Sequence, residues 1–391
     1  MLSTHALQGR SIARVKAALT QRYYQALAKL LDGIVLRSHE RVARRQPEIQ
    51  PRLPEFLKTH HTNFENLFLE PPPIALDHVR GDVWERRAGW WRRDFAFPSA
   101  VPSAYENNRH AIVQTYAGDR GLHFPAVIAL HGLMTPTLIG YRPFFRAIVE
   151  AGASAYALEL PCHLRRTPPG FVSGELFFTA DLEMTLLSLQ QAVAEVRQLI
   201  HYLREAGAPV IGLLGFSLGA WLSALVASCE PEVDFALFAM LPSHLNEVLW
   251  QTRLGAPIRQ KFESAGWKAA DTAPFYHPLD PLNLSPLLPV ERRELFAAEF
   301  DHFIPFHYTQ KLQHAWNHPH LRVYSTGHIG LLWSRKFLRD VRQVLTQQLS
   351  LGRRQELPVT IVTEETVQHL PMNIPSSTST SDVMPLAATK K

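Results

Sequence analysis

The stretch Gly215-Phe216-Ser217-Leu218-Gly219 decides the fold of this 391-residue chain. The apolar run 209–214 precedes it and the apolar run 220–227 follows it, a pattern that predicts a strand, a sharp turn and a helix. Glycines on either side relieve crowding at such a turn, so the serine hydroxyl projects from the sheet edge and can attack a carbonyl carbon. A glycine-rich turn with a serine N-cap is the simpler explanation. The surrounding sequence favours the nucleophile.

A serine nucleophile needs a base within hydrogen-bond reach and a third group that orients the base. The strand predicted over 295–300 ends in Asp301, and the strand predicted over 321–325 is followed by His328. We therefore predict His328 as the base and Asp301 as the acid, with Glu247 or Asp280 as the carboxylates to consider if Asp301 fails. Five other histidines nearby are expected to be solvated on the surface: His302, His307, His314, His318 and His320.

A third buried strand, predicted over 124–130, ends in His131-Gly132-Leu133-Met134. Taken with the serine, the acid and the base in this chain order, it resembles the esterase- and lipase-like serine hydrolases of the α/β-hydrolase superfamily. The resemblance covers about residues 85–350. It implies that the backbone N–H groups of Leu133 and Leu218 bind the oxyanion, and that His131 supports its loop through hydrogen bonds.

The fold implied by the resemblance is α/β: a mostly parallel twisted sheet with helices on both faces and a cap insertion. We predict the following organisation along the chain: a basic amphipathic helix over 1–48, a proline-rich connector over 49–84, the hydrolase domain over 85–350 with a cap or lid insertion over 242–293, and a disordered polar tail over 353–391.

Positive charge is concentrated at the start of the chain. Residues 1–52 contain ten Lys or Arg and three Asp or Glu, although the whole chain has a net charge of only +5. One apolar stripe recurs there at helical spacing and consists of Ile12, Val15, Leu19, Tyr23, Ala26, Leu27, Leu30 and Ile34. Two interpretations stay open: the helix packs its stripe on the hydrolase body, or residues 10–36 make a peripheral contact with an anionic membrane.

Composition excludes several classes of protein. The sequence has no run of about 18 uncharged apolar residues, so no transmembrane helix is expected. Two cysteines in no metal-like spacing argue against a disulfide framework and favour a reducing, cytoplasmic location, with membrane association as the alternative. Trp90 and Trp91 beside Arg92 and Arg93 fit an edge strand better than a nucleic-acid surface. No metal, cofactor or nucleic-acid partner is expected.

These features predict an enzyme that cleaves a small-molecule carboxylic ester. Trp250 and Trp267 in the cap are the candidates for binding an apolar acyl group. Arg165 and Arg166, on the loop predicted to face the cap, are candidates for a negatively charged head, with solvated arginines as the simpler alternative. A thioesterase, an amidase or an acyltransferase would use the same groups. A non-catalytic scaffold docked by its basic helix is the alternative from another class.

Overall fold

A single mixed sheet organises the computed structural model, which describes residues 2–45, 51–52, 64–74, 79–87, 89–118 and 125–355. The predicted tail beyond residue 355 and most of the predicted connector lie outside these ranges. The strands of the described residues, in chain order, are β1 (Arg80–Gly81), β2 (Glu85–Arg87), β3 (Trp90–Pro98), β4 (His110–Ala117), β5 (Ala126–Leu130), β6 (Ser154–Glu159), β7 (Ile211–Phe216), β8 (Phe235–Ala239), β9 (Arg293–Ala298) and β10 (His320–Tyr324).

The strands lie in the order β1-β3-β4-β6-β5-β7-β8-β9-β10, with β2 paired to β3. Pairing is antiparallel from β1 through β4 to β6 and parallel from β6 to β10. Every residue of β5, β6, β7 and β8 is buried, as expected for parallel strands that are covered on both faces. The carboxyl ends of β5, β7, β9 and β10 therefore meet at one edge of the sheet.

Helices surround the sheet and connect its strands. In chain order they are α1 (Leu2–Arg45), α2 (Phe64–Leu67), α3 (Arg142–Glu150), α4 (Leu182–Glu205), α5 (Leu218–Ala227), α6 (Leu245–Gln251), α7 (Ala256–Ser264), α8 (Ala269–Tyr276), α9 (Phe306–Ala315), α10 (His328–Leu331) and α11 (Arg335–Gln355). Helices α4 and α5 pack in one apolar cluster with Ile128 and Leu213, whereas α3 and α11 pack in a second with Val127 and Leu214. Because alternate strand residues point to opposite faces, helices cover both sides, which confirms the predicted architecture.

Three short helices, α6, α7 and α8, fill the region between β8 and β9 where the cap was predicted. Their aromatic side chains pack on one another: the ring of Phe262 stacks between those of Trp250 and Trp267, at centroid distances of 6.4 and 5.2 Å. The indole N–H of Trp250 donates to Thr272 at 2.7 Å. The region between β8 and β9 is therefore held together by an aromatic cluster of its own.

Helix α1 packs on the body with a different face from the one that periodicity indicates. The buried positions are Ala28, Asp32, Gly33 and Leu36. The members of the predicted stripe whose side chains are described, Leu19, Tyr23, Ala26, Leu27, Leu30 and Ile34, are all exposed. Of the two interpretations, the one in which this stripe packs on the body is therefore wrong for the members whose side chains are described, because a small residue and a hydrogen-bonded carboxylate form the docking face instead. None of the described helices has the length and apolar character needed to cross a bilayer.

Candidate active site

Ser217 lies at the sharp turn between β7 and α5, in a backbone conformation that non-glycine residues rarely adopt (φ 53°, ψ −114°). The turn depends on two close backbone approaches. A Cβ atom at Gly219 would collide with the carbonyl oxygen of Leu130, and one at Gly215 would collide with that of Gly219. These contacts bring the start of α5 against β5 and hold the serine hydroxyl at the carboxyl edge of the sheet, at the cost of local strain.

The structure brings together three side chains that the sequence analysis singled out. His328 Nε2 lies 3.0 Å from Ser217 Oγ, and His328 Nδ1 lies 2.7 Å from Asp301 Oδ2. The other carboxylate oxygen of Asp301 accepts the backbone N–H groups of Phe303 and Ile304, both at 2.8 Å. The ring of Phe303 stacks on the imidazole at a centroid distance of 4.5 Å. Both the carboxylate of Asp301 and the imidazole of His328 are therefore fixed in orientation.

The charges around His328 favour protonation of its imidazole. Burial by itself would lower the pKa of His328, but the charge of Asp301, its hydrogen bond and the charge of Asp32 together raise that pKa above the ordinary value. With Nδ1–H donating to Asp301, the unprotonated Nε2 can accept the Ser217 proton. The arrangement can thus activate a hydroxyl and stabilise the cation that results.

The loop after β5 lies beside the serine and is held by buried side chains. Gly132 N–H donates to the Tyr141 hydroxyl at 3.0 Å, and Met134 N–H donates to His163 Nε2 at 3.2 Å. His131 Nε2 accepts the backbone N–H of Leu160 at 3.2 Å, and burial lowers its pKa to about 4, which keeps the ring neutral. His131 thus has the supporting contacts that the sequence analysis assigned to it.

An apolar cavity of about 150 Å³ opens beside Ser217. Both Leu133 and Leu218 line it, as do His328 and the elbow residue Phe216. The remaining lining comes mostly from the region between β8 and β9, from the loop that follows Asp301 (called the acid loop below) and from α1. It includes Val35, His39, Phe178, Trp221, Met240, Leu245, Val248, Leu249, Leu254, Phe303, Ile304 and Ile329. A substrate bound here would place an apolar group against these side chains.

The four side chains predicted to bind substrate do not line this cavity. Trp250 and Trp267 stack on Phe262 inside the cap. Arg166 is fully buried and donates to Glu195 through both terminal nitrogens, at 2.6 and 2.7 Å.

Arg165 is likewise paired, with Asp94 at 2.9 Å and Glu159 at 2.7 Å. In these contacts neither arginine lines the cavity beside Ser217. These four residues therefore no longer support the prediction of an apolar acyl group or of an anionic head group. The apolar lining of the cavity supports the acyl group instead.

The carboxylate of Asp280 is occupied elsewhere. It accepts the backbone N–H groups of His244, Leu245 and Leu282 at 3.0, 2.7 and 2.9 Å, so it fixes the cap instead of the base. The five histidines near Asp301 that were expected to be solvated are all exposed: His302, His307, His314, His318 and His320.

Among the described residues, three potential metal ligands approach one another at Glu70, His201 and Glu230. Arg197 donates to both carboxylates of this group, at 3.0 Å in the case of Glu230. The cluster is therefore an ion-pair network in which the guanidinium supplies the positive charge that a metal ion would bring.

No family model matches the chain. It is 28% identical over 303 residues to an uncharacterized protein of Mycobacterium tuberculosis, a match that covers 72% of this chain and 69% of that protein. Acetyl xylan esterase 1 from Thermoanaerobacterium sp. JW/SL YS485 has a similar structure, with a TM-score of 0.55 at 14% identity over 78% of this chain and 97% of that one. The chain has the α/β-hydrolase fold.

An acetyl xylan esterase from Paenibacillus sp. R4 gives the same TM-score of 0.55 at 14% identity, over 77% of this chain and 98% of that one. At this identity the likeness concerns the fold alone. In this fold, the residues described above follow the carboxyl ends of β5, β7, β9 and β10, at one edge of the sheet. What the site can do must be argued from those residues.

Sequence reasoning missed several residues that surround the serine. Phe178, Trp221 and Phe303 line the cavity, but no local pattern distinguishes a cavity aromatic from a core aromatic. Val35 and His39 come from α1, which sequence analysis treated as separate from the site. The motif signals identify groups at strand ends, whereas the cavity walls come from segments that meet only in the folded chain.

Proposed function

We propose that this protein is a serine hydrolase that cleaves a carboxylic ester through an acyl-enzyme on Ser217. One observation carries the proposal: Ser217 Oγ, His328 Nε2, His328 Nδ1 and Asp301 Oδ2 are linked by hydrogen bonds of 3.0 and 2.7 Å at a strained strand-to-helix turn. This linkage is what activation of a serine by a base and an orienting acid requires.

In the proposed reaction, Ser217 Oγ attacks the ester carbonyl carbon while His328 Nε2 takes the hydroxyl proton. The carbonyl oxygen becomes an oxyanion that the N–H groups of Leu133 and Leu218 stabilise. His328 then gives its proton to the departing alkoxide, which leaves an acyl-enzyme. A water molecule, deprotonated by His328, attacks the acyl carbon, and collapse of the second tetrahedral intermediate returns the proton to Ser217. Asp301 stabilises the imidazolium in both halves.

The cavity supports an apolar acyl group as the part of the substrate that is recognised. Its walls are aliphatic and aromatic, and its volume of about 150 Å³ is similar to that of engineered apolar cavities that bind benzene. Each methylene buried there adds about 0.8 kcal/mol to binding, or roughly fourfold in affinity. Esters with a medium-length acyl chain should therefore have higher kcat/KM values than acetate esters.

The test uses a fluorophosphonate probe and a panel of p-nitrophenyl esters. Wild-type protein should be labelled covalently and should hydrolyse the esters, whereas Ser217→Ala should lose labelling and several orders of magnitude in turnover. Ser228→Ala is a matched control, because that half-buried hydroxyl donates only to Ala224 O in the described structure. Unchanged turnover in folded Ser217→Ala, or no labelling of wild type at neutral pH, would contradict the proposal.

A further inference from the structure

Asp32 on α1 binds both loops that carry the acid and the base. Its Oδ2 accepts the backbone N–H groups of His328 at 3.0 Å and His302 at 3.2 Å, and its Oδ1 accepts that of Ile329 at 3.0 Å. The residue is fully buried. A buried carboxylate is stable only when such donors surround it, so this contact is specific and not a chance approach of two surfaces.

The rest of α1 fits the same loops closely. A Cβ atom at Gly327 would lie 2.6 Å from Asp32 Oδ2 and 2.8 Å from Ala28 Cβ. The position directly before His328 therefore has room only for glycine. Leu36 packs with Phe303 and other buried side chains beyond the acid loop. The helix therefore holds the segment before His328 and the segment after Asp301 against each other.

We propose that Asp32 is a positioning residue of the reaction: through its three hydrogen bonds it fixes the loop of His328 relative to the loop of Asp301. The inference rests on the proposed function, since it assigns a part in that reaction to a helix outside the hydrolase body. Val35 and His39, on the next turns of the same helix, line the substrate cavity. Helix α1 thus contributes both to the geometry of the base and to the walls of the site.

The charge of Asp32 adds a second effect that distinguishes it from a merely structural contact. The charged side chains that contact the imidazole or its loop are Asp301, after β9, and Asp32, on α1; the Ser217 hydroxyl is the neutral group beside Nε2. Among these, Asp301 and Asp32 raise the pKa of His328 against the effect of burial. Removing the Asp32 charge should therefore lower that pKa and move the acid limb of the pH profile to lower pH.

The test compares Asp32→Asn with wild type in p-nitrophenyl ester hydrolysis. The amide keeps one acceptor but turns an NH₂ group toward a backbone donor, so the loops lose hydrogen bonds to a charged group. We expect kcat to fall about ten- to a hundredfold with KM nearly unchanged, and the acid limb of kcat/KM to shift to lower pH. Leu36→Ala, which loosens the helix without changing charge, should lower kcat and leave the acid limb in place.

Glu40→Gln serves as the matched control, because it removes a carboxylate from the same helix that pairs with Arg253 at the surface. It should change neither kcat nor the pH profile. If Asp32→Asn does not fold, Asp32→Glu replaces it: the charge stays, the oxygens move by a methylene, and kcat should fall without a shift of the acid limb.

Two results separate the possible failures. A kcat within twofold of wild type in the Asp32 variant that folds overturns the inference, while loss of activity in Ser217→Ala still supports the proposed function. Unchanged activity in Ser217→Ala overturns the proposed function, and the inference with it.

A separate observation concerns the outer face of α1. Leu19, Tyr23, Leu27, Leu30 and Ile34 are exposed, with Leu30 56% accessible. At about 100° per residue their side chains fall within a sector of about 80°, opposite the buried face of the helix. An apolar stripe of this length on the outside of a folded protein marks an interaction surface.

We infer that this stripe binds an anionic lipid surface. Exposed basic side chains accompany it on the helix, namely Arg22, Lys29, Arg37 and Arg41. An apolar stripe with neighbouring positive charges is the pattern by which amphipathic helices lie in a membrane interface. Val35, which follows the last residue of the stripe in sequence, lines the apolar cavity from another side of the helix.

Co-sedimentation with phosphatidylcholine vesicles, with and without phosphatidylglycerol, tests this surface. Wild type should bind the anionic vesicles, and Leu30→Glu or Leu27→Glu should weaken binding about tenfold or more. Leu287→Glu, which changes an exposed leucine on the body, is the control and should bind like wild type. Equal binding of wild type and Leu30→Glu, no preference for anionic vesicles, or a dimer in light scattering that Leu30→Glu dissociates would each overturn the inference.

Discussion

Replacing Asp301 by asparagine should disable the base by reversing its tautomer. In the structure, Asp301 Oδ1 accepts the N–H groups of Phe303 and Ile304, and Oδ2 accepts His328 Nδ1–H. The asparagine oxygen should stay with the two backbone donors, because turning NH₂ toward them would leave both unpaired at about 1 to 3 kcal/mol each. The NH₂ group then faces His328 Nδ1 and places the imidazole proton on Nε2, where it cannot accept the Ser217 proton.

The expected loss is about 10,000-fold in kcat, or about 5.4 kcal/mol of transition-state stabilisation. Steady-state hydrolysis of a p-nitrophenyl ester measures it, and circular dichroism verifies that the variant folds. Asp280→Asn is the matched control, since Asp280 is a carboxylate that accepts only backbone N–H groups in the described structure, and it should lose less than tenfold. A loss below tenfold in Asp301→Asn would refute the assignment of the acid.

Three further predictions concern pH, selectivity and stability. Because the pKa of His328 is raised and the base must be neutral, kcat/KM should fall as the pH drops through a value above about 6.5, the usual pKa of histidine; an acid limb below that value contradicts the electrostatics. Leu249→Trp should fill the cavity and abolish the preference for medium-chain over acetate esters, whereas Trp267→Ala should leave that preference intact, as a chain-length series will reveal. Arg166→Met leaves the carboxylate of Glu195 buried without its cationic partner and should lower the free energy of unfolding by about 3 to 5 kcal/mol in denaturant titration; a change below 1 kcal/mol would show that the pair is not needed.

The residues at the strand ends could be predicted because each has a local signal. Ser217 lies between two glycines at a strand-to-helix change, and Asp301 and His328 each follow an apolar run of strand length. Parallel topology then forces the carboxyl ends of β7, β9 and β10 to one edge, so three separate signals determine one place. The mostly parallel sheet was expected from the resemblance to the α/β-hydrolase superfamily, and it agrees with the complete burial of β5, β6, β7 and β8.

The substrate-binding residues could not be predicted by the same route. A tryptophan in a cap carries no mark that distinguishes packing on Phe262 from lining a cavity. Adjacent arginines likewise do not reveal that one faces Glu195 in the interior. Phe262 is close to both tryptophans in sequence, but the local pattern does not show that their rings stack. Glu195 lies 29 residues from Arg166, and the general tendency of charged side chains to be exposed favoured a solvated arginine.

Helix α1 illustrates the same limit with a consequence for function. Periodicity identifies the most apolar face of a helix, and in α1 that face points outward. The face that packs on the body contains Ala28, Asp32 and Leu36. The carboxylate of Asp32 lowers the average hydrophobicity of that face. Asp32 can be buried there because it accepts the backbone N–H groups of His302, His328 and Ile329, which lie 270 to 297 residues away. A charge at a helix position is therefore ambiguous until its partners are known, and here those partners are the backbone groups that hold the base.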